Sequence, residues 1–160
     1  MTERSAVRAP ILLAVLPHGD DRRSIRHILR PANWQFRFAR RFEQARRSLR
    51  ATPFTAIITE NFLPDGHSWR DLLGELHALP HAPPLIVTDR LADEALWAEV
   101  LNLGGYDLLM KPFEEKEVLH VLAMAQRLEE RWAQLHPSGC PLQPKDLQIA
   151  PPMECAMAGG

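Results

Sequence analysis

The chain has 160 residues, 46% of them hydrophobic, and a formal net charge of -1, which suits one domain burying roughly two thirds of its unfolded surface without covalent staples. Its only cysteines, Cys140 and Cys155, lie in the last 21 residues, and the apolar run Ile11 to Leu16 is too short for a secretory signal or a membrane span. A disulfide framework and a membrane protein are therefore excluded, and a soluble, cytoplasmic protein is expected.

Charge is unevenly spread: residues 1–50 carry 12 Arg against 4 acids, whereas residues 51–160 carry 7 bases against 16 acids. The molecule should have a basic end and an acidic end.

Ile11 to Leu16 predicts a strand, and Asp20 or Asp21 can cap a helix with Ile25, Ile28 and Leu29 facing inward until Pro31 stops it. Trp34, Phe36 and Phe38 alternate with Gln35 and Arg37 as on a second strand, and Phe42, Ala45 and Leu49 recur at helical spacing. A third strand runs from Phe54 to Glu60. The turn residues Pro64-Asp65-Gly66 follow, then a helix capped by Ser68 with Trp69, Leu72, Leu73 and Leu76 inside, ending at Pro80.

Pro84 to Thr88 gives the fourth strand, and the next helix starts near Asp93 and is closed by Gly104-Gly105. Leu108 to Lys111 gives the fifth. After Pro112 a long helix begins, with Glu114, Glu115 and Glu117 in its first turn, where acids are favoured. Five strand-helix alternations argue for an α/β domain, a parallel sheet covered by helices on both faces. Pro137, Pro141, Pro144, Pro151 and Pro152 mark a proline-rich tail expected to be disordered.

Glu60 stands at a strand's end, where open α/β sheets carry their sites. The stretches ITENFLPDG at 58–66, LIVTD at 85–89 and LGGYDLLMKPFEEKEVL at 103–119 together resemble the receiver domain of bacterial response regulators, over about residues 10–130. The resemblance implies a five-stranded, doubly wound, flavodoxin-like sheet of strand order 2-1-3-4-5 over residues 10–132, with residues 133–160 as the tail. It further implies a phosphoaccepting Asp ending the third strand, a pair of acids after the first that helps bind Mg²⁺, and a hydroxyl residue and a Lys on the phosphate.

Carried onto this chain, Thr88 and Lys111 match, but Glu60 holds the phosphoacceptor position. The acid pair falls on Leu16 and Pro17, or on Val15 and Leu16, and no carboxylate is present there. The aromatic switch position is Leu108, with Tyr106 displaced by two. Mg²⁺ wants oxygen ligands and usually one or two carboxylates, so Glu60 stands almost alone and Mg²⁺ binding is expected to be lost. Without a metal, little neutralises a transferring phosphoryl group. No residue is assigned as catalytic or as a metal ligand, and no cofactor is expected. The extra methylene of Glu60 extends its carboxylate toward Lys111 and Thr88, in imitation of a phosphorylated Asp or as a plain ion pair at the strand end.

Other constellations carry less. Gly66-His67-Ser68-Trp69-Arg70 lacks the second glycine of a nucleophile elbow. His136, Cys140 and Cys155 are poorly spaced for zinc. His18 lies beside the degenerate acid pocket, within reach of Glu60 or simply exposed in its loop.

Arginines crowd the first two helices, from Arg22 to Arg50, where a solvated face explains them better than nucleic acid, and this end is expected to stay free. Val118, Val121, Ala125, Leu128, Trp132 and Leu135 form a heptad-like seam on the last helix. Its end is expected to project beyond the domain. The resemblance places dimers and outputs on the fourth helix, fifth strand and fifth helix, where Trp97, Leu101, Tyr106, Leu108, Leu128 and Trp132 form the expected interaction surface for a protein partner or self-association.

The expected function is a non-enzymatic receiver-like module of two-component or phosphorelay signalling that binds a protein independently of phosphorylation. The alternatives are an atypical, still phosphorylatable receiver and an Arg-rich nucleic-acid-binding module.

Overall fold

Strands and helices alternate throughout residues 8–136, the part of the chain that the computed structural model describes. They are β1 (Ile11–Val15), α1 (Gly19–Leu29), β2 (Gln35–Ala39), α2 (Phe42–Ala51), β3 (Ala56–Glu60), α3 (Trp69–His77), β4 (Leu85–Asp89), α4 (Glu94–Leu103), β5 (Asp107–Met110) and α5 (Glu115–Leu135). All four strand pairings are parallel, in the order β2-β1-β3-β4-β5. The three inner strands are nearly continuous runs of Leu, Ile, Val and Ala because both faces of a parallel sheet are covered.

Two cores result. Trp69, Leu72 and Leu76 of α3 join Phe42 and Leu49 of α2 and Val100 of α4 over Leu13, Ile57 and Val87 on one face. On the other, Ile25 and Leu29 of α1 meet Val118, Leu122 and Ala125 of α5 over Leu12, Ala14, Ile58 and Ile86. The residues between the core positions of α1 and α2 point to water, which is where the arginines collect.

Helix ends follow local chemistry. The Ser68 hydroxyl accepts from the Arg70 N–H while the Asp71 carboxylate accepts from the Ser68 N–H, a reciprocal cap on α3. Asp93 accepts from the Leu96 N–H at the start of α4, and Gly104 closes that helix at φ 107°. α1 differs from expectation: it starts at Gly19, its cap residue His18 offers no side-chain bond, and Asp20 and Asp21 lie inside the first turn. After Leu29 the chain tightens into a 3₁₀ turn over Arg30–Ala32 that contains Pro31. Residues 133–135 continue α5. From Pro137 the proline-rich tail, including Cys140 and Cys155, lies outside the described residues. Among the described residues no helix is long and apolar enough to cross a membrane.

Candidate functional site at the C-terminal ends of the strands

Parallel strands bring their C-terminal ends to one edge of the sheet. Glu60 at the end of β3 pairs in register with Thr88 of β4, and Lys111 follows β5 directly. The Lys111 Nζ donates to Glu60 Oε2 at 2.5 Å and to Asp21 Oδ2 at 3.0 Å. The side chains of Lys111, Asp21 and Glu60 are 2%, 10% and 13% exposed, so one buried ammonium bridges two nearly buried carboxylates.

Asp21 was legible only as a helix-capping residue. It enters the site because α1 starts just after β1, at the end of the sheet where Lys111 follows β5, and its first turn carries Asp21. Glu60 is therefore not alone. Burial pushes the Glu60 carboxyl above its ordinary value of 4.5, partly opposed by the hydrogen bond and charge of Lys111. For Lys111, burial works to lower the pKa, but the bonds from Glu60 and Asp21 outweigh it and hold the ammonium above 10.5.

The surrounding loops are tied down. Arg22 Nη1 donates to the backbone carbonyls of Leu16 and Pro17, both at 2.7 Å, so the β1–α1 loop is clasped by a cation from its own helix. Asn61 Nδ2 donates to Asp89 Oδ2 at 2.8 Å, joining the ends of β3 and β4. The β3–α3 loop turns at Gly66, φ 82°, and Asp65 accepts from the Phe42 N–H at the start of α2. His18 is exposed, and it makes no hydrogen bond to Glu60.

Thr88 corrects a further expectation. Its hydroxyl is fully buried beside Glu60 yet has no partner among the described residues, so Glu60 spends its reach on Lys111 alone.

The donor set does not fit Mg²⁺. Leu16 and Pro17 supply no side-chain oxygen, their carbonyls are already engaged by Arg22, and the cation between the two remaining carboxylates is the Lys111 ammonium. Among the described residues no group of three or more His, Cys, Asp or Glu is placed to hold a metal ion.

The residues expected to form an interaction surface separate into three places. Trp97, 49% exposed, and exposed Leu101 and Met110 lie on α4 and β5, with Leu108 half-buried. Leu103 is 46% exposed, while Val100 and Leu96 reach the core from α4. Tyr106 and Leu128 lie further down, lining a pocket of about 220 Å³ with Leu73 and Gly105.

Trp132 does not project. Its ring is stacked between His81 of the α3–β4 loop, centroids 3.9 Å apart, and His136, 4.5 Å apart. His81 Nε2 also bonds the Glu129 carboxylate at 2.9 Å. His81, Glu129 and Trp132 line a cavity of about 390 Å³ with Phe54 and Pro80 at the N-terminal edge of the sheet, away from Glu60.

No family model matches the sequence, and no curated protein does. Solved structures do match. The signal receiver domain of an HD domain-containing protein from Pseudomonas fluorescens Pf-5 is 23% identical with a TM-score of 0.73, covering 84% of this chain and 98% of that one. The receiver domain of a sensor histidine kinase from Pseudomonas aeruginosa PAO1, with magnesium coordinated in its active-site cleft, is 22% identical with a TM-score of 0.65, over 74% and 98%. A two-component response regulator from Clostridium difficile is 18% identical with a TM-score of 0.64, over 74% and 96%. The fold of this chain is thus that of response-regulator receiver domains.

Proposed function

We propose that this chain is a receiver-like module of two-component signalling that does not accept phosphate and acts by binding a protein. The observation that carries the reading is the Asp21–Lys111–Glu60 bridge: the lysine that would meet an incoming phosphoryl group already holds two carboxylates in a buried site. Phosphoryl transfer needs compensation for charge developing on the transferring group. Here Lys111 and Arg22 are committed to Glu60, Asp21 and the β1–α1 loop, which leaves Arg90 as the further cation lining the pocket beside Asp21 and Lys111. The site is held in one arrangement, and the exposed apolar groups on α4 and β5 supply the contact surface.

Incubation with Mg²⁺ and a small phosphoryl donor, followed by intact mass, should leave the mass unchanged. A stoichiometric phosphate adduct would refute the reading. It would favour the second reading, a still-catalytic receiver, for which the partnerless Thr88 hydroxyl beside Glu60 speaks.

A further inference from the structure

The exposed surface on α4, β5 and α5 combines two chemistries. A groove of about 250 Å³ has Trp97, Leu108 and Met110 for its floor and Asp93, Glu94 and Glu117 on its rim. No basic residue lines it among the described residues. If two copies paired this groove directly against itself, the acids on its rim would face acids, and like charges facing each other across an interface are costly. The groove calls for a partner that is apolar and cationic together.

The opposite edge of the same sheet has that character. β2 is the other edge strand, flanked by α1 and α2, and Arg30, Arg40, Arg41 and Arg47 are exposed there. Of the neighbouring arginines, Arg23, Arg46 and Arg50 are the ones with acidic partners among the described residues on this end. The edge also offers an apolar component: the half-buried rings of Phe36 and Phe38 pack 5.4 Å apart, with the Arg26 guanidinium 5.4 Å above Phe38. Guanidinium groups bond carboxylates in a bidentate fashion and stack on indole faces, which is what an acidic rim around Trp97 can use.

We propose that the acidic groove of α4, β5 and α5 takes the arginine-bearing β2 edge of a second copy of this chain, head to tail. The proposal rests on the reading that this groove is an interaction surface, and it names the occupant. It engages the basic end that charge counting leaves as a solvated face. Because the two surfaces lie on opposite edges of one sheet, the contact is heterologous. Each added copy leaves one groove and one basic edge free, so association has no built-in stop at two.

Sedimentation velocity across concentrations up to about 200 μM, at about 50 mM and about 500 mM salt, tests this. At low salt the mean mass should climb past that of a dimer as concentration rises, and high salt should weaken association by about ten-fold or more. The variants Glu94→Arg/Glu117→Arg and Arg41→Glu/Arg47→Glu change exposed positions, and each is first to be checked for folding by circular dichroism. Each should be monomeric alone, and an equimolar mixture should associate again.

A folded reversal variant that still assembles like the wild type would overturn the proposal, and either pair suffices for that result. A discrete, salt-insensitive dimer lost in Trp97→Ala but untouched by the reversals would also overturn it while leaving the groove an interface. A wild type that stays monomeric throughout overturns the pairing as well. In that case binding of a separate protein, lost in Trp97→Ala, would show that the interaction surface itself survives.

Discussion

Removing the Lys111 ammonium while keeping its bulk, as in Lys111→Met, should be among the most damaging single changes outside the apolar core. The Nζ is the shared donor to Glu60 at 2.5 Å and Asp21 at 3.0 Å, and its side chain is almost wholly out of water. Without it two carboxylates face each other. At about 5 Å and an effective dielectric of about 20 they repel by about 3 kcal/mol, in line with the cost of about 3–5 kcal/mol for stripping one partner from a buried ion pair.

The cost should depend on pH with a definite sign. Burial already raises the Glu60 carboxyl above 4.5, and loss of the ammonium raises it further. Between 4.5 and that higher value the folded variant binds more protons than the unfolded chain, so its stability rises as pH falls through that window. In the wild type, the raised Lys111 value contributes stability that is complete below 10.5 and is lost only as pH rises through the folded value.

Urea denaturation followed by tryptophan fluorescence at about pH 8 and about pH 5 should show a deficit of about 3 kcal/mol at the higher pH and a smaller one at the lower. Glu60→Gln is the control, expected to cost less than about 1 kcal/mol because Asp21 still holds Lys111 and a buried charge has been removed. A Lys111→Met variant within about 0.5 kcal/mol of wild type at neutral pH, or one with the same deficit at both pH values, would refute the bridge as the organising interaction.

Three further outcomes follow from particular contacts. Thr88→Val should be neutral or stabilising by up to about 1 kcal/mol, since the hydroxyl it removes is buried without a partner; a clear loss of stability would mean that the hydroxyl is bonded in solution. Trp132→Ala should lower stability by about 2 kcal/mol by unstacking His81 and His136, and it should leave self-association untouched; an effect on association with no change in melting would return Trp132 to the interaction surface. Gly105→Ala should cost about 2 kcal/mol or more, because a Cβ there would lie 2.5 Å from Val100 Cγ1 and 2.9 Å from the Val100 carbonyl oxygen; an unchanged melting temperature would show that α4 gives way freely.

Where the elements lie was legible from local chemistry. The apolar runs of β1 and β4, the Ser68 cap, the Asp93 cap and the Gly104 stop each act within a few residues, so the sequence alone determines them. The strand order and the pairing of Glu60 with Lys111 came through resemblance, since 51 residues separate the two partners. Asp21 was hidden altogether. Its signal at the start of a helix is that of a dipole-favoured acid, and only the tertiary fold brings it, 90 residues away in the chain, onto the same ammonium. Trp132 misled for a related reason: heptad spacing reports which face of a helix a residue occupies but not what the fold lays beneath it, here the α3–β4 loop with His81. Periodicity and caps are set by neighbours along the chain, whereas which side chains share a site depends on how each helix crosses the sheet, which the packing of the two cores decides.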